Sequence, residues 1–368
     1  MKFSKAWFGG ATTLMLATSV FGCTQTSPTA QSSDSSSSST IDSTTDSTTE
    51  NSGADRPQVV ATSTVLCDLA KQIAQETIAL TCLMQPSQDP HVYTPTPVHR
   101  KAIEDADLVL YGGYNYEPGL IKIIAATQTA SPKTAVYEAA VPQPLLGEAD
   151  AHDHSSEAAA TEGEADGHDH AAEATATEGE VPDPHVWHDA QNGTEIVSVI
   201  SENLVRLVPD QASVYQQNAA ALSQQLTQID DWIKTQVATV PVANRKLVTT
   251  HEALGYYAAA YGFELEGAIA GLSTEEKPSA ARLTSLVNQV KAAQVPAIFV
   301  ETTTNPKLLE TVAKESNVEI AAQPLFIEGP GGEETPATTY QTMLITNTCT
   351  IVEALGGNCD AAAVAEAR

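Results

Sequence analysis

Three histidines stand where a chain can present a metal ligand. His91 and His185 each close an Asp-Pro-His tripeptide, and His251 directly follows the apolar run 247–250. Proline fixes φ and removes a backbone donor, so each tripeptide predicts an ordered turn that displays its last side chain. A neutral imidazole is the commonest protein ligand for zinc and also serves manganese. A lone histidine is more often a surface or hydrogen-bonded residue, so the hypothesis of a metal site depends on all three together.

The first 22 residues are predicted to be a signal peptide. Lys2 and Lys5 precede an apolar stretch at 6–21, and a small residue then stands before Cys23. We expect cleavage to leave Cys23 at the N-terminus as the lipid carrier. The apolar stretch is shorter than the roughly 20 residues that span a bilayer. Residues 23–56 are then the lipidated cysteine and a disordered Ser/Thr-rich tether, which predicts an exported protein, periplasmic or on the cell surface, anchored to a membrane by lipid.

The other cysteines agree with export. An even set remains once Cys23 carries lipid: Cys67, Cys82, Cys349 and Cys359. Pairing by proximity in the chain gives two short-loop disulfides, as expected in an oxidising compartment. Buried free thiols are the alternative for some of them.

An internal duplication lies within a predicted disordered insertion at 147–181. Each copy opens with His-Asp-His and ends with Thr-Glu-Gly-Glu, and the insertion contains no Lys or Arg and almost no large apolar residue. Its histidines are His152, His154, His168 and His170. We expect a flexible loop that collects metal with modest affinity. A solvated acidic loop that keeps the protein soluble is the alternative interpretation.

The formal net charge of −28 disfavours nucleic acid as a partner and suits cations. Much of this charge lies in the tether and the insertion. The remaining chain is long enough for two domains of ordinary size.

The folded part alternates predicted strands and helices, which is typical of parallel sheets covered by helices. Strands are predicted at 58–62, 78–84, 108–111, 134–137, 246–250, 264–269, 297–300 and 318–321; helices are predicted at 65–76, 97–105, 192–207, 210–237, 253–261, 280–293 and 306–316. The predicted fold class is α/β, with two lobes that each hold a mostly parallel sheet flanked by helices. The predicted domains are an N-terminal lobe at 57–208, a long rigid linking helix at 209–239 and a C-terminal lobe at 240–368. Ligands of open α/β sheets collect beyond the carboxyl ends of strands, where His91 and His251 fall.

Five segments in order resemble the zinc and manganese solute-binding lipoproteins of bacterial ABC transporters: Gln-Asp-Pro-His-Val-Tyr at 88–93, Asp-Pro-His-Val-Trp at 183–187, His-Glu-Ala-Leu-Gly-Tyr-Tyr at 251–257, Thr-Glu-Glu-Lys-Pro-Ser at 274–279 and Ile-Phe-Val-Glu at 298–301. The resemblance covers nearly the whole folded part. It implies a monomer that holds one ion between two lobes, coordinated by His91, His185, His251 and sometimes a carboxylate. By position that carboxylate is Glu328, and water is the alternative fourth ligand.

The resemblance also implies a function in which the protein passes its ion to an ABC-transporter permease in the membrane. Histidine at the third ligand position and a His-rich insertion resemble the zinc branch of the family. Three imidazoles suit tetrahedral Zn²⁺, whereas Mn²⁺ favours more oxygen ligands and a higher coordination number. We therefore expect Zn²⁺ as the transported ligand, with Mn²⁺ as the alternative.

Four neighbouring residues are expected to support the site rather than bind metal. Asp89 and Asp183 are expected to cap their own turns. Glu252 is expected to hydrogen-bond an imidazole and fix its tautomer. For His188 we expect a supporting or surface role.

Two other classes of function share some of these sequence features. His251-Glu252 begins like the helix of a zinc protease, but position 255 is Gly255 where that motif requires histidine, so an enzyme is not expected. A metal-buffering or adhesive surface lipoprotein also fits a lipid anchor and is kept as an alternative.

Overall fold

The computed structural model describes residues 56–148, 180–275 and 278–367. The predicted signal peptide, Cys23, the tether and the four histidines of the insertion lie outside these residues. Up to the long helix, the elements in chain order are β1 (Gln58–Ala61), α1 (Thr64–Ala74), β2 (Ala79–Cys82), α2 (Pro97–Asp105), β3 (Leu108–Tyr111), α3 (Pro118–Ala126), β4 (Lys133–Ala135), α4 (Val136–Ala140), β5 (Leu146–Glu148), β6 (Glu180–Pro182), α5 (Ala190–Leu207) and α6 (Ala212–Val237).

The first lobe is built on a parallel sheet with strand order β2-β1-β3-β4. The central strands β1 and β3 read Val-Val-Ala and Leu-Val-Leu over their fully buried residues. Such continuous apolar runs are typical of parallel strands that helices cover on both faces. The carboxyl ends of β1, β2 and β3 therefore lie at one edge of the sheet, where the following loops begin.

The second lobe repeats this plan with β7 (Lys246–Thr249), α7 (Gly255–Tyr261), β8 (Glu264–Ala268), α8 (Ala280–Ala293), β9 (Ala297–Ile298), α9 (Lys307–Ser316), β10 (Glu319–Ile320) and α10 (Tyr340–Ala354). Strands β7 and β8 pair in parallel, as do β9 and β10. The Phe299 backbone N–H donates to the Val248 carbonyl at 2.9 Å and joins the two pairs. The α/β class with parallel sheets in two lobes is thereby confirmed.

Helix α6 is the longest described element, at 26 residues or about 39 Å. Its buried face includes Leu222, Leu226, Ile229 and Ile233, spaced three or four residues apart. This face packs against α1, α5 and α10. One large apolar cluster runs from α1 through α6 to α7 and α10, so the two lobes share part of their core.

Two disulfides tie short loops. Cys67 in α1 is bonded to Cys82 at the end of β2, and Cys349 in α10 is bonded to Cys359. The pairing by proximity that the sequence suggested is the one found. The first disulfide fixes the end of the strand that leads into the His91 loop.

Several predicted boundaries shift by one to three residues, and two differences change the kind of structure. The strand predicted at 134–137 ends at Ala135, and α4 begins at Val136, because the Tyr137 backbone N–H donates to Gly112 and its buried ring turns the chain into the core. The insertion predicted at 147–181 is too long at both ends. Residues 146–148 and 180–182 form the antiparallel hairpin β5/β6, which lies at the base of the insertion.

No helix in the described ranges combines the length and the apolarity needed to cross a bilayer.

Candidate metal site

Two of the predicted ligands are presented by similar Asp-Pro-His turns. His91 lies in the loop after β2, and its backbone N–H donates to Asp89 Oδ1 at 3.0 Å. His185 lies in the loop after β6, and its backbone N–H donates to Asp183 Oδ1 at 2.9 Å. Each aspartate thus caps its own turn, as expected, and fixes the backbone of the histidine that follows.

His251 follows β7, and its backbone is held by a carboxylate from the next strand. Glu301 lies after β9, and its Oε1 accepts hydrogen bonds from the backbone N–H groups of Thr250 and His251 at 2.9 and 3.1 Å. The carboxyl ends of adjacent parallel strands meet at one edge of a sheet. This placement puts a buried acid beside His251.

Glu328 reaches the same place from the chain that follows β10. Glu301 forms an isolated parallel bridge with Leu325, which aligns this segment beside the strand end. The Trp187 indole N–H donates to the Ile327 carbonyl at 3.0 Å and ties the segment to the His185 loop. The next residue, Gly329, has φ +133°, and a Cβ at this position would clash with the Thr64 side chain.

These four side chains converge on one point. His185 Nε2 lies 3.2 Å from His91 Nε2 and 3.4 Å from His251 Nε2. Glu328 Oε1 lies 3.1 Å from His251 Nε2 and 3.6 Å from His91 Nε2. All four ligand atoms lie within 4.8 Å of one another, and all four residues are buried. We call His91, His185, His251 and Glu328 the four-residue cluster.

Two carboxylates fix the orientation of two of the three imidazole rings. Asp183 Oδ1 lies 2.8 Å from His185 Nδ1, and Glu301 Oε2 lies 2.7 Å from His251 Nδ1. A carboxylate at Nδ1 holds the proton on that nitrogen, so the Nε2 lone pair is free for a metal ion.

The expectation for Glu252 was wrong. Its side chain lies 3.4 Å from the Arg282 guanidinium, and Glu301 occupies the position beside the His251 ring. The carboxylate that orients the His251 ring is thus Glu301, at the end of the adjacent strand, and not Glu252, the next residue in the sequence.

His188 is fully buried rather than a surface residue. Its ring lies beside that of Trp187, with centroids 5.5 Å apart. Burial, reinforced by the neighbouring His185, lowers the pKa of His188 to about 3. It is therefore a neutral residue behind the His185 turn, outside the four-residue cluster.

Charge within the cluster is balanced by its own members. Burial alone raises the pKa of Glu328, but His91 and His251 hold that pKa well below its usual range. Burial lowers the pKa of His185, partly opposed by Asp183. Burial also lowers the pKa of His251, but the carboxylates of Glu301 and Glu328 outweigh it and raise that pKa well above its usual range. A proton therefore competes with a metal ion for His251 Nε2.

The spacing of the cluster fits one small divalent ion. Zinc bonds of about 2.0–2.1 Å in a regular tetrahedron place neighbouring ligand atoms about 3.3 Å apart. Four of the separations in the cluster are close to this value, at 3.1–3.6 Å, and all lie within 4.8 Å. Glu328 Oε1 accepts no hydrogen bond of good geometry from any described residue. A buried carboxylate oxygen beside three imidazole nitrogens provides the chemistry of a divalent metal site.

Comparison with known proteins identifies the family. The family described as zinc-uptake complex component A, periplasmic, matches residues 59–354. Zinc-binding protein TroA of Treponema pallidum is 31% identical over 312 residues, which cover 83% of this chain and 91% of TroA. Manganese-binding lipoprotein MntA of Halalkalibacterium halodurans is 30% identical over 298 residues, which cover 81% of this chain and 88% of MntA.

The fold agrees with these relatives. The solved structure of the periplasmic zinc-binding protein TroA from Treponema pallidum matches with a TM-score of 0.70 at 30% identity, over 82% of this chain and 99% of that chain. The chain therefore belongs to the periplasmic zinc-uptake component A family, a family of solute-binding proteins rather than enzymes.

Proposed function

We propose that this protein captures Zn²⁺ outside the cytoplasm and delivers it to the membrane permease of an ABC transporter. The observation that carries the proposal is the convergence of three imidazole Nε2 atoms and one carboxylate oxygen on a single buried point. A set of three nitrogens and one oxygen is close to the tetrahedral preference of zinc. Asp183 and Glu301 would hold two of the rings in the metal-binding tautomer.

Export and lipid anchoring complete the proposal. The signal peptide and Cys23 predicted from the sequence would place a monomer at the membrane surface on the periplasmic or cell-surface side. The relative MntA is itself named a lipoprotein. A tethered receptor stays within reach of its permease, which supports the pairing of lipid anchor and transport.

The insertion would act as an auxiliary collector of metal through His152, His154, His168 and His170. Support comes from the hairpin at its base. Strand β6 ends at Pro182, only three residues before His185. Metal bound by the insertion would therefore be held only a few residues along the chain from His185, a proposed ligand of the main site.

Manganese is the second candidate, because MntA is named for manganese binding while TroA is named for zinc. Metal buffering or adhesion at the cell surface remains the alternative for a lipid-anchored protein. Neither alternative predicts that the protein binds one equivalent of Zn²⁺ tightly and in preference to Mn²⁺.

Calorimetry and chelator competition test the proposal. In a metal-free protein that lacks the tether and residues 148–180, we expect one equivalent of Zn²⁺ to bind far more tightly than Mn²⁺. His185→Ala should weaken zinc binding by orders of magnitude. Deletion of residues 148–180 alone should alter capture or transfer more than the affinity of the main site. An unchanged affinity in His185→Ala would reject the site, and stronger binding of Mn²⁺ would assign manganese.

A further inference from the structure

The two oxygens of the Glu328 carboxylate have different surroundings. Oε1 faces the three imidazole nitrogens and accepts no hydrogen bond of good geometry from the described residues. Oε2 lies 3.1 Å from the Tyr116 hydroxyl, which donates toward it. The same hydroxyl lies 3.1 Å from the Glu328 backbone carbonyl. One phenol therefore contacts both the side chain and the main chain of Glu328.

Tyr116 is held firmly in this position. It is fully buried, and its ring lies 4.8 Å from that of Trp187 and edge-on to that of His91 at 5.6 Å. The next residue, Glu117, directly precedes α3, and its Oε1 accepts hydrogen bonds from the Thr62 hydroxyl and the Gly112 backbone N–H, each at 2.7 Å. These contacts anchor the backbone beside Tyr116, and the buried ring contacts hold its hydroxyl next to Glu328.

We propose that Tyr116 is a specificity-determining residue, which restricts Glu328 to a single metal-bonding oxygen and so limits the site to four protein ligand atoms. The inference rests on the proposed zinc-binding function. Tyr116 acts through Glu328 and is a positioning residue rather than a ligand.

The restriction has a direct effect on metal choice. A carboxylate that rotates to bind through both oxygens would add a fifth ligand atom, an oxygen. Mn²⁺ favours oxygen ligands and high coordination numbers, whereas Zn²⁺ is satisfied by four. To bind through both oxygens, the Glu328 carboxylate would have to turn Oε2 toward the ion and away from the Tyr116 hydroxyl. That turn weakens a hydrogen bond to a charged group in a buried site, where such losses are costly. The phenol thus disfavours the arrangement that would suit manganese.

Tyr116→Phe tests the proposal, because it removes the hydroxyl and keeps the ring. Tyr137→Phe is the matched control. Tyr137 is another fully buried tyrosine, its ring lies 5.8 Å from that of Tyr116, and its hydroxyl is hydrogen-bonded to Ser63 at 2.9 Å instead of Glu328. Zn²⁺ and Mn²⁺ affinities of the full chain and both variants are measured by competition with a chelator, and thermal unfolding confirms that each variant folds.

Co²⁺ substitution provides a second readout that does not depend on affinity, because its visible absorption is strong in four-coordinate sites and weak in six-coordinate ones. In Tyr116→Phe we expect the ratio of zinc to manganese affinity to fall at least about tenfold, with a weaker Co²⁺ spectrum. The ratio and the spectrum of Tyr137→Phe should match those of the unmodified protein.

Two results would overturn the inference and leave the proposed function intact. One is a zinc-preferring protein in which Tyr116→Phe keeps the same ratio and the same Co²⁺ spectrum. The other is a zinc-preferring unmodified protein whose Co²⁺ spectrum is already that of a six-coordinate ion, which needs no variant to observe. An unmodified protein without a preference for zinc would contradict the proposed function itself.

Discussion

At the scale of single residues, the candidate site depends on which nitrogen of each imidazole carries a proton. His185 and His251 each have a buried carboxylate within 2.8 Å of Nδ1, so the proton is held away from the point where the cluster converges. The carboxylates are fixed in turn by backbone N–H groups of the same loops. Ring orientation and backbone conformation are therefore set by the same acids.

Glu301→Gln should weaken metal binding about 10- to 100-fold. The amide keeps the shape of the carboxylate but can place an N–H group opposite His251 Nδ1, which favours the tautomer with its proton on Nε2. Chelator competition measures the effect. Glu252→Gln is the control, since that side chain pairs with Arg282, and it should leave the affinity unchanged. Equal losses in the two variants would show that Glu301 does not act through the His251 ring.

A buried acid beside the cluster predicts a pH-dependent stability. Burial raises the pKa of Glu117 from 4.5 to about 7, opposed by its hydrogen bonds from Thr62 and Gly112. The folded state then binds more protons than the unfolded state between these values. The raised pKa of Glu117 therefore contributes its full stabilisation of the folded state below about pH 4.5. About 3 kcal/mol of that stabilisation is lost as the pH rises through about 7.

Glu117→Gln should remove this dependence. Denaturant unfolding of the metal-free protein at several pH values measures the free energy of unfolding of both forms. We expect the variant to gain stability relative to the unmodified protein as the pH rises from 4.5 to 8. Parallel pH profiles for the two proteins would show that Glu117 titrates alike in the folded and unfolded states.

The sequence analysis named all four members of the cluster as candidate ligands. Three histidines in turns or at a strand end and Glu328, placed by resemblance, are brought together in the structure. Glu301 was not recognised as the partner of His251, although it follows β9 as His251 follows β7. The signal that could have found it is this shared position after neighbouring parallel strands. Tyr116 gives no sequence signal, because its hydroxyl meets Glu328 across 212 residues of chain.

At the scale of elements, the start of α7 is shaped by the neighbouring Asp183 turn. Gly255 is the first residue of α7, and a Cβ built there would lie 2.6 Å from Asp183 Oδ2. The turn that presents His185 can approach this helix only because the side chain is absent. Position 255 therefore serves to accommodate the aspartate that holds the His185 ring.

Gly255→Ala should displace Asp183 and weaken metal binding about tenfold or more, since a partner of a ligating ring is moved. Gly332→Ala is the matched control, because a Cβ there meets nothing within 4 Å. Calorimetric titration of both variants makes the comparison. Full affinity in Gly255→Ala would mean that the turn relaxes without consequence for His185.

The predicted elements succeeded where periodicity was clear. Helices α2 and α8 have the predicted bounds, and the β/α alternation is found in both lobes. Helices α3 and α10 were not predicted. Helix α10 is buried on several sides, and its apolar residues do not form one face. The hairpin β5/β6 was also missed, since each strand has only three residues and the insertion separates them.

At the scale of the whole molecule, the cluster draws its members from both lobes. His91 and His185 come from the first lobe, and His251 and Glu328 come from the chain after α6. The lobes share an apolar core around α6, so large rigid movements would expose much of that core. Release of a bound ion is then expected to require local loosening of one lobe's ligands.

One contact between the lobes lies beside the cluster. The Thr274 hydroxyl donates to Asp89 Oδ2, and Asp89 Oδ1 caps the His91 turn. Thr274→Val should remove this bond with little change in shape and speed metal dissociation roughly fivefold, as expected for the loss of about 1 kcal/mol. Stopped-flow mixing with excess chelator measures the rate.

Thr284→Val is the control for this experiment, because that hydroxyl donates to the Ala280 carbonyl within its own helix. Its dissociation rate should equal that of the unmodified protein. If Thr274→Val also releases metal at the unmodified rate, the contact between Thr274 and Asp89 does not limit release.

The central claim is that His91, His185, His251 and Glu328 together hold one zinc ion. The most direct measurement is the anomalous difference density at the zinc edge in crystals of the full chain grown with one equivalent of Zn²⁺. We predict one dominant peak about 2.0–2.2 Å from the three Nε2 atoms and Glu328 Oε1. A dominant peak elsewhere, or a peak bonded to fewer than three of these side chains, would contradict the account.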